Sequence, residues 1–516
     1  MKGNSKKLIW FLLAAFTSIK ALAYDFEVDG IYYNIVSLPD LTCAVTEGDM
    51  DYSGDITIPE QVTYNGRTLT VTSIGKMAFY DCAGLTSVSI PNSVTSIGEE
   101  AFYDCDGLTS VSIPNSVTSI GKRAFCACDG LTSVSIPNSV TSIGEYAFEY
   151  CSGLKDITIP SSIQEIREHV FYGCSSLEKV NLPISLKKIG ESAFEGCTSL
   201  VSFSIPDSCE SIGIQSFTGC ARLQEFVIGT NLSELPIKQE NYASKDYYCS
   251  AFQCVEEGSL GDIPYMWTLP NFSTLIIKDT EKPLETNHFL CWEEVYSIDA
   301  NTGYGGYKYD WVEVGMFSRL PLKKIYVGRP LTYDRSPFEG FEGCDLKEVE
   351  IGGFCEEIFP INSDSLEKLT LSGNLKVFDA DLIRKDETLS EIHVKISEPP
   401  VFEGTFSNKV YLNARLFVPK GSLSAYQNAS GWKDFWNIQE ESVTGIPNVD
   451  ASANIKVKAV DDGIVVSNAK GRVTVYDISG AAVASGYIDG DSVSISVPGH
   501  GVYIVRAGSE AVKVCL

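Results

Sequence analysis

The sequence predicts a repeat solenoid, built on a parallel β-sheet with short helices or 3₁₀ turns, plus a small all-β sandwich at the C-terminus. Three observations predict this fold class: an apolar period of 23 residues, a strand-like pattern inside each period, and a change to short alternating strands after residue 454. Within 77–230, three residue types each keep this period. The columns are Phe79, Phe102, Phe125, Phe148, Phe171, Phe194 and Phe217; Cys82, Cys105, Cys128, Cys151, Cys174, Cys197 and Cys220; and Leu85, Leu108, Leu131, Leu154, Leu177, Leu200 and Leu223.

Each repeat contains a clear strand signal at Val88 and Ile90, and a second short extended piece at Val94 and Ile97. Val88 and Ile90 alternate with serines, which is typical of a strand with one buried face, and Pro91 ends the strand because it has no N–H to donate. Phe102 and Cys105 of the following segment fit a single turn of α- or 3₁₀-helix. A fixed period of about 20–29 residues with an L-x-x-L-x-L-like core is typical of a leucine-rich repeat solenoid. One repeat cannot bury its own apolar face, so we expect the copies to stack around one core.

The cysteines divide into two groups. Seven of the 16 keep the period of Phe and Leu, at a position that should point inward, and small thiols are among the most buried side chains. We expect these seven to be structural, reduced thiols. The cysteines outside the column are the better disulfide candidates, with Cys249 and Cys254 as the first pair. They are Cys43, Cys126, Cys209, Cys249, Cys254, Cys291, Cys344, Cys355 and Cys515.

The chain divides into six segments. Residues 1–23 have a basic end, the apolar run LIWFLLAAF and an Ala-Leu-Ala site, and predict a secretory signal peptide. An N-terminal cap (24–76) precedes the regular repeats (77–230). Divergent repeats with an aromatic-rich insertion and a C-terminal cap form 231–440, where we expect Trp432, Phe435 and Trp436 to pack on the last coil. A polar linker (441–454) leads to the sandwich (455–516), in which short alternating runs are separated by turn dipeptides.

Composition and motifs exclude several classes of function. The formal charge of −27 argues against a nucleic-acid partner or an anionic membrane surface. The apolar run near the N-terminus is too short to span a bilayer, and no later stretch approaches a membrane helix in length. The four histidines have no zinc-type spacing, and the segment GYGGYKYDW lacks the Lys-Ser/Thr of a phosphate loop. We expect no catalytic, metal-binding or cofactor-binding residues, and no enzyme.

The repeat motif resembles a known family. The combination IPNSVTSIG, AFxxC and LTSVSIP closely resembles the BspA-type leucine-rich repeat family of bacterial surface proteins, and the resemblance covers about 24–440. The segments RVTVYDISG and GVYIVRAGSEAVKV are similar to C-terminal β-sandwich domains that act as sorting signals for outer-membrane export. The resemblance implies an exported protein, extracellular or associated with the cell surface or outer membrane, that adheres to host proteins or other cells.

Two surfaces are candidates for binding. One is the open face of the repeat sheet, where small polar residues stand between the inward Leu, Val and Ile. The other is the aromatic-rich insertion 238–315, whose Tyr and Trp are better affinity residues than Ser or Thr, although aromatic side chains also pack insertions onto their scaffold. The candidate binding residues are Ser87, Ser89, Ser110, Ser112, Ser133, Ser135, Asp156, Thr158, Tyr247, Tyr248, Tyr304, Tyr307 and Tyr309.

Three functions fit these surfaces. The first is non-covalent binding of a protein partner, such as a host matrix or cell-surface protein, through the solenoid face and inserted loops. The second is binding of a glycan, with Tyr and Trp of the insertion stacking on sugar rings. The third is a structural spacer at the cell surface, which predicts no ligand at all.

Overall fold

A computed structural model describes residues 24–441, apart from 236, 243–244, 251–253, 257–268, 287, 299–304, 316–319, 333–340 and 342, together with the strands within 456–515. The predicted signal peptide and most of the predicted linker lie outside the described residues. The chain forms two units: residues up to Phe417 with Ser424–Ile438, and Val418–Leu423 with Gln439–Leu516. For most of the strands within 237–256, 285–315 and 456–515, only the backbone is described.

The first unit begins with a small cap of mixed antiparallel and parallel strands that covers the open end of the repeats. Its strands are Phe26–Val28, Ile31–Ser37, Thr42–Thr46, Gly54–Thr57, Gln61–Tyr64 and Arg67–Ile74. Arg67–Ile74 and Gly54–Thr57 then pair in parallel with the first two strands of the first repeat. The cap strands are therefore hydrogen-bonded directly to the first strands of the parallel stack.

Each regular repeat contributes two short strands to two parallel walls. The first wall contains Leu85–Ser89, Ser110–Ser112, Ser133–Ser135, Asp156–Thr158, Lys179–Asn181, Ser202–Ser204 and Glu225–Ile228. The second contains Ser96–Ile97, Ser119–Ile120, Ser142–Ile143, Glu165–Ile166, Lys188–Ile189, Ser211–Ile212 and Glu234–Leu235. Both walls lie in register with the sequence period, as in the pairing of Ser110 with Ser133 and of Ile120 with Ile143. The predicted parallel solenoid is confirmed.

The first wall continues past the last regular repeat. Ser202–Ser204 and Glu225–Ile228 start a nine-stranded sheet that continues through Thr274–Ile277, Lys324–Val327, Glu348–Ile351, Lys368–Leu371, Glu391–Val394, Arg415–Val418 and Asn437–Glu440. The second wall continues from Glu234–Leu235 with Leu284–Thr286 and Leu331–Thr332. Two further parallel pairs follow in the later coils: Ile361–Asn362 with Ile383–Arg384, and Val377–Asp379 with Val401–Glu403. Short helices occur only in these later coils, among the described residues. They are the 3₁₀ segments Ala380–Leu382, Asp386–Thr388 and Trp432–Asp434 and the α-helices Asn408–Asn413 and Leu423–Asn428.

The Phe column is a continuous stack inside the first unit. All seven side chains are fully buried, and successive rings lie nearly parallel, with centroids 4.9 Å apart for Phe79 and Phe102 and 5.7 Å apart for Phe194 and Phe217. The seven column cysteines are buried free thiols, as predicted. Rows of identical side chains therefore form the core, as expected when identical repeats stack.

The Phe-containing segment is a series of turns, not the helical turn that the spacing predicts. The residue two before each Phe and the residue two after it have positive φ, as at Arg123 (52°) and Ala127 (56°) around Phe125. With these reversals, backbone N–H groups hydrogen-bond to the next coil, as from Phe125 to the carbonyl of Ala147 (2.8 Å). Bonding between coils satisfies these groups in place of the i to i−4 bonds of a helix.

The C-terminal cap of the first unit is a cluster of aromatic rings. Trp432 is fully buried, and its Nε1–H donates to the Pro400 carbonyl (2.8 Å). Phe435 is buried beside it, as predicted, with the two ring centroids 6.4 Å apart. The prediction for Trp436 is wrong, because 77% of it is exposed. Trp436 follows Phe435 in extended chain, so its side chain leaves on the opposite side.

Two groups of antiparallel strands interrupt the later coils. Ile237–Tyr242, Lys245–Ser250 and Cys254–Glu256 form a three-stranded sheet. His288–Ile298 and Gly305–Gly315 form a two-stranded ribbon of eleven paired positions. The prediction of one insertion over 238–315 is wrong, because the solenoid strands Thr274–Ile277 and Leu284–Thr286 lie between these two groups and divide it.

The second unit contains two antiparallel sheets around one apolar core. The first sheet consists of Lys456–Val460, Gly463–Ser467 and Ser492–Ile495, and the second of Ala482–Ile488, Gly471–Tyr476, Val502–Ala507 and Glu510–Cys515. Ile464 and Val466 from the first sheet and Val473, Val475 and Val505 from the second are fully buried in the same cluster. Strands from both sheets share a core, as in a sandwich.

Candidate functional site

The predicted serines form two parallel rows on the outside of the first wall. Strand pairing aligns Ser87, Ser110 and Ser133 in one row and Ser89, Ser112 and Ser135 in the other. All except Ser87 are exposed. The Ser87 hydroxyl donates to the Asp55 carboxylate (2.6 Å). This hydrogen bond, with a second from Thr86, lowers the pKa of Asp55.

Asp156 and Thr158 extend the same face but belong to a separate ladder. Their strand pairs with Lys179–Asn181, which sets Asp156 beside Lys179 and Thr158 beside Asn181. The Asn181 amide donates to the Thr158 hydroxyl (3.0 Å). Asp156 and Thr158 are both exposed. The structure therefore brings the eight predicted residues of the solenoid onto one face, in two adjacent ladders.

Farther along this face, charged residues replace the hydroxyls. Parallel pairing aligns five successive strands so that positive and negative residues alternate in one row: Lys324, Glu348, Lys368, Glu391 and Arg415. Lys324 Nζ lies 3.2 Å from the Glu348 carboxylate. The neighbouring outward row contains Tyr326, Glu350, Thr370, His393 and Phe417. The two rows share the outward face because positions two apart in a strand point the same way.

Four of these residues form one preorganised cluster, called here the Arg–Phe cluster: Glu391, His393, Arg415 and Phe417. The His393 ring stacks on Phe417, with centroids 4.3 Å apart, and the Arg415 guanidinium lies 5.5 Å from the centre of the same ring. Glu391 accepts from the Arg415 guanidinium and lies 3.2 Å from His393 Nε2. His393 and then Arg415 lower the pKa of Glu391.

Sequence reasoning missed this cluster. The fragments that carry it, such as Leu389–Val394, could be identified as divergent repeats, but their alignment with one another was not fixed. Two-residue alternation within each fragment would have predicted the outward residues. It could not have predicted which strands pair, because insertions of different length separate them.

The predicted tyrosines of the insertion are only partly placed. Tyr247 and Tyr248 lie in the strand Lys245–Ser250, and Tyr307 and Tyr309 lie in the ribbon strand Gly305–Gly315. Tyr304 lies outside the described residues. Being adjacent, Tyr247 and Tyr248 occupy opposite faces of their strand.

The register of the ribbon collects its aromatic positions on one face. Tyr307 pairs with Tyr296, Tyr309 with Glu294 and Trp311 with Trp292. These six positions alternate along both strands, so they share one face of the ribbon. The corresponding positions of the other face are Val295, Glu293 and Cys291, paired with Lys308, Asp310 and Val312.

The described part of the chain contains no cluster of three or more His, Cys, Asp or Glu side chains suited to a metal ion. Among the helices of that part, none combines the length and the apolar character of a membrane-spanning segment.

Comparison with known proteins agrees with the repeat architecture. Residues 61–175 and 118–242 match the family described as BspA type Leucine rich repeat region, in six copies. The chain is similar to the crystal structure of a leucine-rich repeat protein from Bacteroides ovatus ATCC 8483, at 23% identity and a TM-score of 0.44, covering 81% of this chain and 100% of that chain. It is also similar to a leucine rich cell surface protein from Faecalibacterium prausnitzii A2-165, at 23% identity and a TM-score of 0.40, covering 81% and 95%. No curated protein sequence matches the chain.

Proposed function

The repeats of this chain are BspA-type leucine-rich repeats, and from this premise we propose that it is an exported surface protein that binds a protein partner through the outward face of its first wall. Recognition is non-covalent and involves many contacts, without turnover. The partner is a protein of the host matrix or of a neighbouring cell surface. Residues 1–23 direct export, and residues 455–516 serve as a sorting domain.

The observation that carries this proposal is the change of side chains along one continuous face. The two serine rows present small side chains on the outward face, so the surface there is flat from one coil to the next. Ser and Thr contribute little to affinity, whereas Arg and aromatic residues dominate interface hot spots. The Arg–Phe cluster supplies these types on the same wall, and its contacts hold Arg415 in place although 55% of that side chain is exposed. Fixing a side chain before binding reduces the entropy lost on binding.

A binding assay on the full chain tests the proposal. The purified protein is immobilised and exposed to a panel of host matrix and cell-surface proteins, and the affinity of each partner found is measured for variants. Arg415→Ala and Phe417→Ala should each weaken binding by at least about tenfold, as hot-spot truncations do. Ser112→Arg should block a partner that lies across the serine rows, whereas the matched control Ser112→Ala should bind normally.

Thermal melting of each variant separates lost binding from lost folding. The proposal fails if no protein of the panel binds. It also fails if a partner binds with the same affinity to Arg415→Ala, Phe417→Ala and Ser112→Arg.

Glycan binding is the second candidate, and the register of the ribbon favours it. Trp292, Tyr296, Tyr307, Tyr309 and Trp311 share one face, which suits stacking of flat ligand rings on aromatic side chains. A panel of oligosaccharides tests this candidate, with Trp292→Ala and Trp311→Ala compared with Glu293→Gln on the other face. Loss of glycan binding in the tryptophan variants alone supports it. If neither proteins nor glycans bind, the chain is a structural spacer.

A further inference from the structure

Two cysteine positions are directly paired in the backbone register of two neighbouring strands. Lys245–Ser250 and Cys254–Glu256 pair in antiparallel fashion, with Tyr247 opposite Glu256, Tyr248 opposite Val255 and Cys249 opposite Cys254. Directly opposed residues of an antiparallel pair have Cα atoms about 4.5–5.5 Å apart. A disulfide needs Cα atoms about 4.4–6.8 Å apart. The backbone therefore places these two cysteines at the separation that a disulfide requires.

The other described cysteines are in different surroundings. The column thiols point into the core and donate to backbone carbonyls, as Cys151 does to Phe125 (3.0 Å) and Cys174 to Phe148 (3.1 Å). Cys43, Cys126, Cys209 and Cys355 are also buried free thiols. The prediction that cysteines outside the column form disulfides is therefore wrong for these four. The reason is that each side chain is buried, and each thiol donates to an oxygen: the Glu149 carboxylate for Cys126, and a backbone carbonyl for the other three.

Cysteines elsewhere in strands oppose apolar residues. Cys291 of the ribbon pairs with Val312, and Cys515 of the second unit pairs with Val502. Cys43 lies between Ile35 and Val71. In the strand pairings of the described residues, Cys249 with Cys254 is the one position where a cysteine is paired with a cysteine.

We propose that Cys249 and Cys254 form a disulfide that closes the turn between their strands. One thiolate attacks a disulfide of an oxidant, either a protein thiol–disulfide oxidoreductase or a small-molecule disulfide, and displaces one of its sulfurs as a thiol. The second cysteine then attacks the mixed disulfide, forms the Cys249–Cys254 bond and releases the other oxidant sulfur as a thiol. The two cysteines lose two electrons and two protons, which reduce the oxidant.

The bond fixes the geometry of the insertion. An isolated two-stranded hairpin is at best marginally stable in water, and a cross-link between the last two strands holds their pairing in register. Residues 251–253, between the two strands, lie outside the described residues. The proposed bond joins Lys245–Ser250 to Cys254–Glu256, whose backbone pairing is described. The proposal draws on the proposed export, since disulfides persist in oxidising compartments.

Peptide-resolved thiol counting tests the bond directly. Cleavage after Lys245 and Lys278 releases a peptide, 246–278, in which Cys249 and Cys254 are the two cysteines. The purified protein is equilibrated with oxidised glutathione, denatured and alkylated without reductant. We expect this peptide to carry no alkyl group and to be lighter by two hydrogen atoms, and to carry two alkyl groups after reduction.

Two controls keep the outcome unambiguous. The peptide 124–155, with Cys126, Cys128 and Cys151, should be fully alkylated after denaturation in the same sample. The variant Cys249→Ser should leave Cys254 open to alkylation or to glutathione. Two alkyl groups on 246–278 before reduction, or a cross-link from it to any other peptide, would overturn the inference.

The same assay separates this inference from export. If the chain proves to remain inside the cell but the purified protein forms this bond in glutathione, the proposed location is wrong and the pairing holds. If the chain is exported but 246–278 stays reduced in glutathione, the pairing is wrong and the location holds.

Discussion

The thiol of Cys128 donates a hydrogen bond of 2.9 Å to the backbone carbonyl of Phe102, 26 residues earlier in the chain. The same contact joins Cys105 to Phe79 (3.0 Å) and Cys220 to Phe194 (3.2 Å). Each of these thiols therefore links its own coil to the previous one, whereas Cys82, the first of the column, donates to Tyr80 of its own coil. The Cys column satisfies backbone carbonyls in the core in addition to filling space.

The column thiols should be unreactive in the folded protein. Burial raises the pKa of Cys151, Cys174 and Cys197 well above the ordinary value, so the reactive thiolate is scarce even in mildly alkaline solution. Alkylation at about pH 8, where a free thiol is partly ionised, should leave these cysteines unmodified until denaturant is added. Mass spectrometry of the peptides checks this, and rapid labelling of Cys151 in the native state would contradict it.

Replacing Ala127 by Gly should stabilise the protein. Ala127 has a φ of 56°; the equivalent position is Tyr150 (56°) in the next repeat and Gly173, Gly196 and Gly219 in the three after it, which have φ between 70° and 74°. A left-handed conformation costs a non-glycine residue roughly 1–2 kcal/mol, which the greater freedom of Gly in the unfolded chain partly offsets. We expect a net gain of up to about 1 kcal/mol in unfolding free energy.

The matched control for this prediction is Ala124→Gly. Ala124 is fully buried in the same turn segment and is not among the positive-φ residues, so its replacement should be destabilising. Chemical denaturation of both variants measures the contrast. A loss of stability in Ala127→Gly equal to that in Ala124→Gly would show that backbone strain at residue 127 is negligible.

Stability should fall as pH rises through the titration of Glu195. Glu195 is 7% exposed, and burial raises its pKa to about 7, while the Ser192 hydroxyl lowers it. The folded state therefore binds the proton more tightly than the unfolded state. The proton on Glu195 stabilises the folded state, and this stabilisation is fully present below the unfolded pKa of about 4.5. It is lost as pH rises towards 7, and the total loss in unfolding free energy is on the order of 3 kcal/mol.

The variant Glu195→Gln isolates this effect from the other carboxylates. Its amide does not ionise, so it should gain stability relative to the natural protein as pH rises from about 4 to about 8. Denaturant unfolding of both proteins across this range gives the difference. A difference that stays constant with pH would mean that Glu195 has an ordinary pKa in the folded protein.

The fold was predictable from sequence where the repeats are strict. The columns that begin at Phe79, Cys82 and Leu85 repeat without insertion. The 23-residue period alone therefore determines which residues of successive coils are neighbours. The left-handed residues could not be predicted, because Arg123, Tyr146 and similar side chains do not signal positive φ as Gly does. Stacking against the neighbouring coils imposes that conformation.

Beyond Gly229, long-range contacts decide the structure. Arg329 is fully buried, and its guanidinium donates to the carbonyls of Leu232 (2.7 Å), Thr230 and Gly229 (both 3.2 Å). A lone arginine in the sequence suggests a solvated surface position, and no local pattern indicates partners about 100 residues earlier. The Arg–Phe cluster is similar, since Glu391 and Arg415 are 24 residues apart in the chain and a helix lies between them.

The unfolding free energy of Phe148→Ala tests most directly whether the repeats form one continuous buried stack that leaves the outward face free. Phe148 is fully buried between Phe125 and Phe171, at centroid distances of 5.3 and 5.6 Å. Its truncation should cost about 3–5 kcal/mol. The control Tyr150→Ala, two residues away and 50% exposed, should cost far less. A denaturation midpoint that Phe148→Ala leaves unchanged would contradict the stacked core and the binding face built on it.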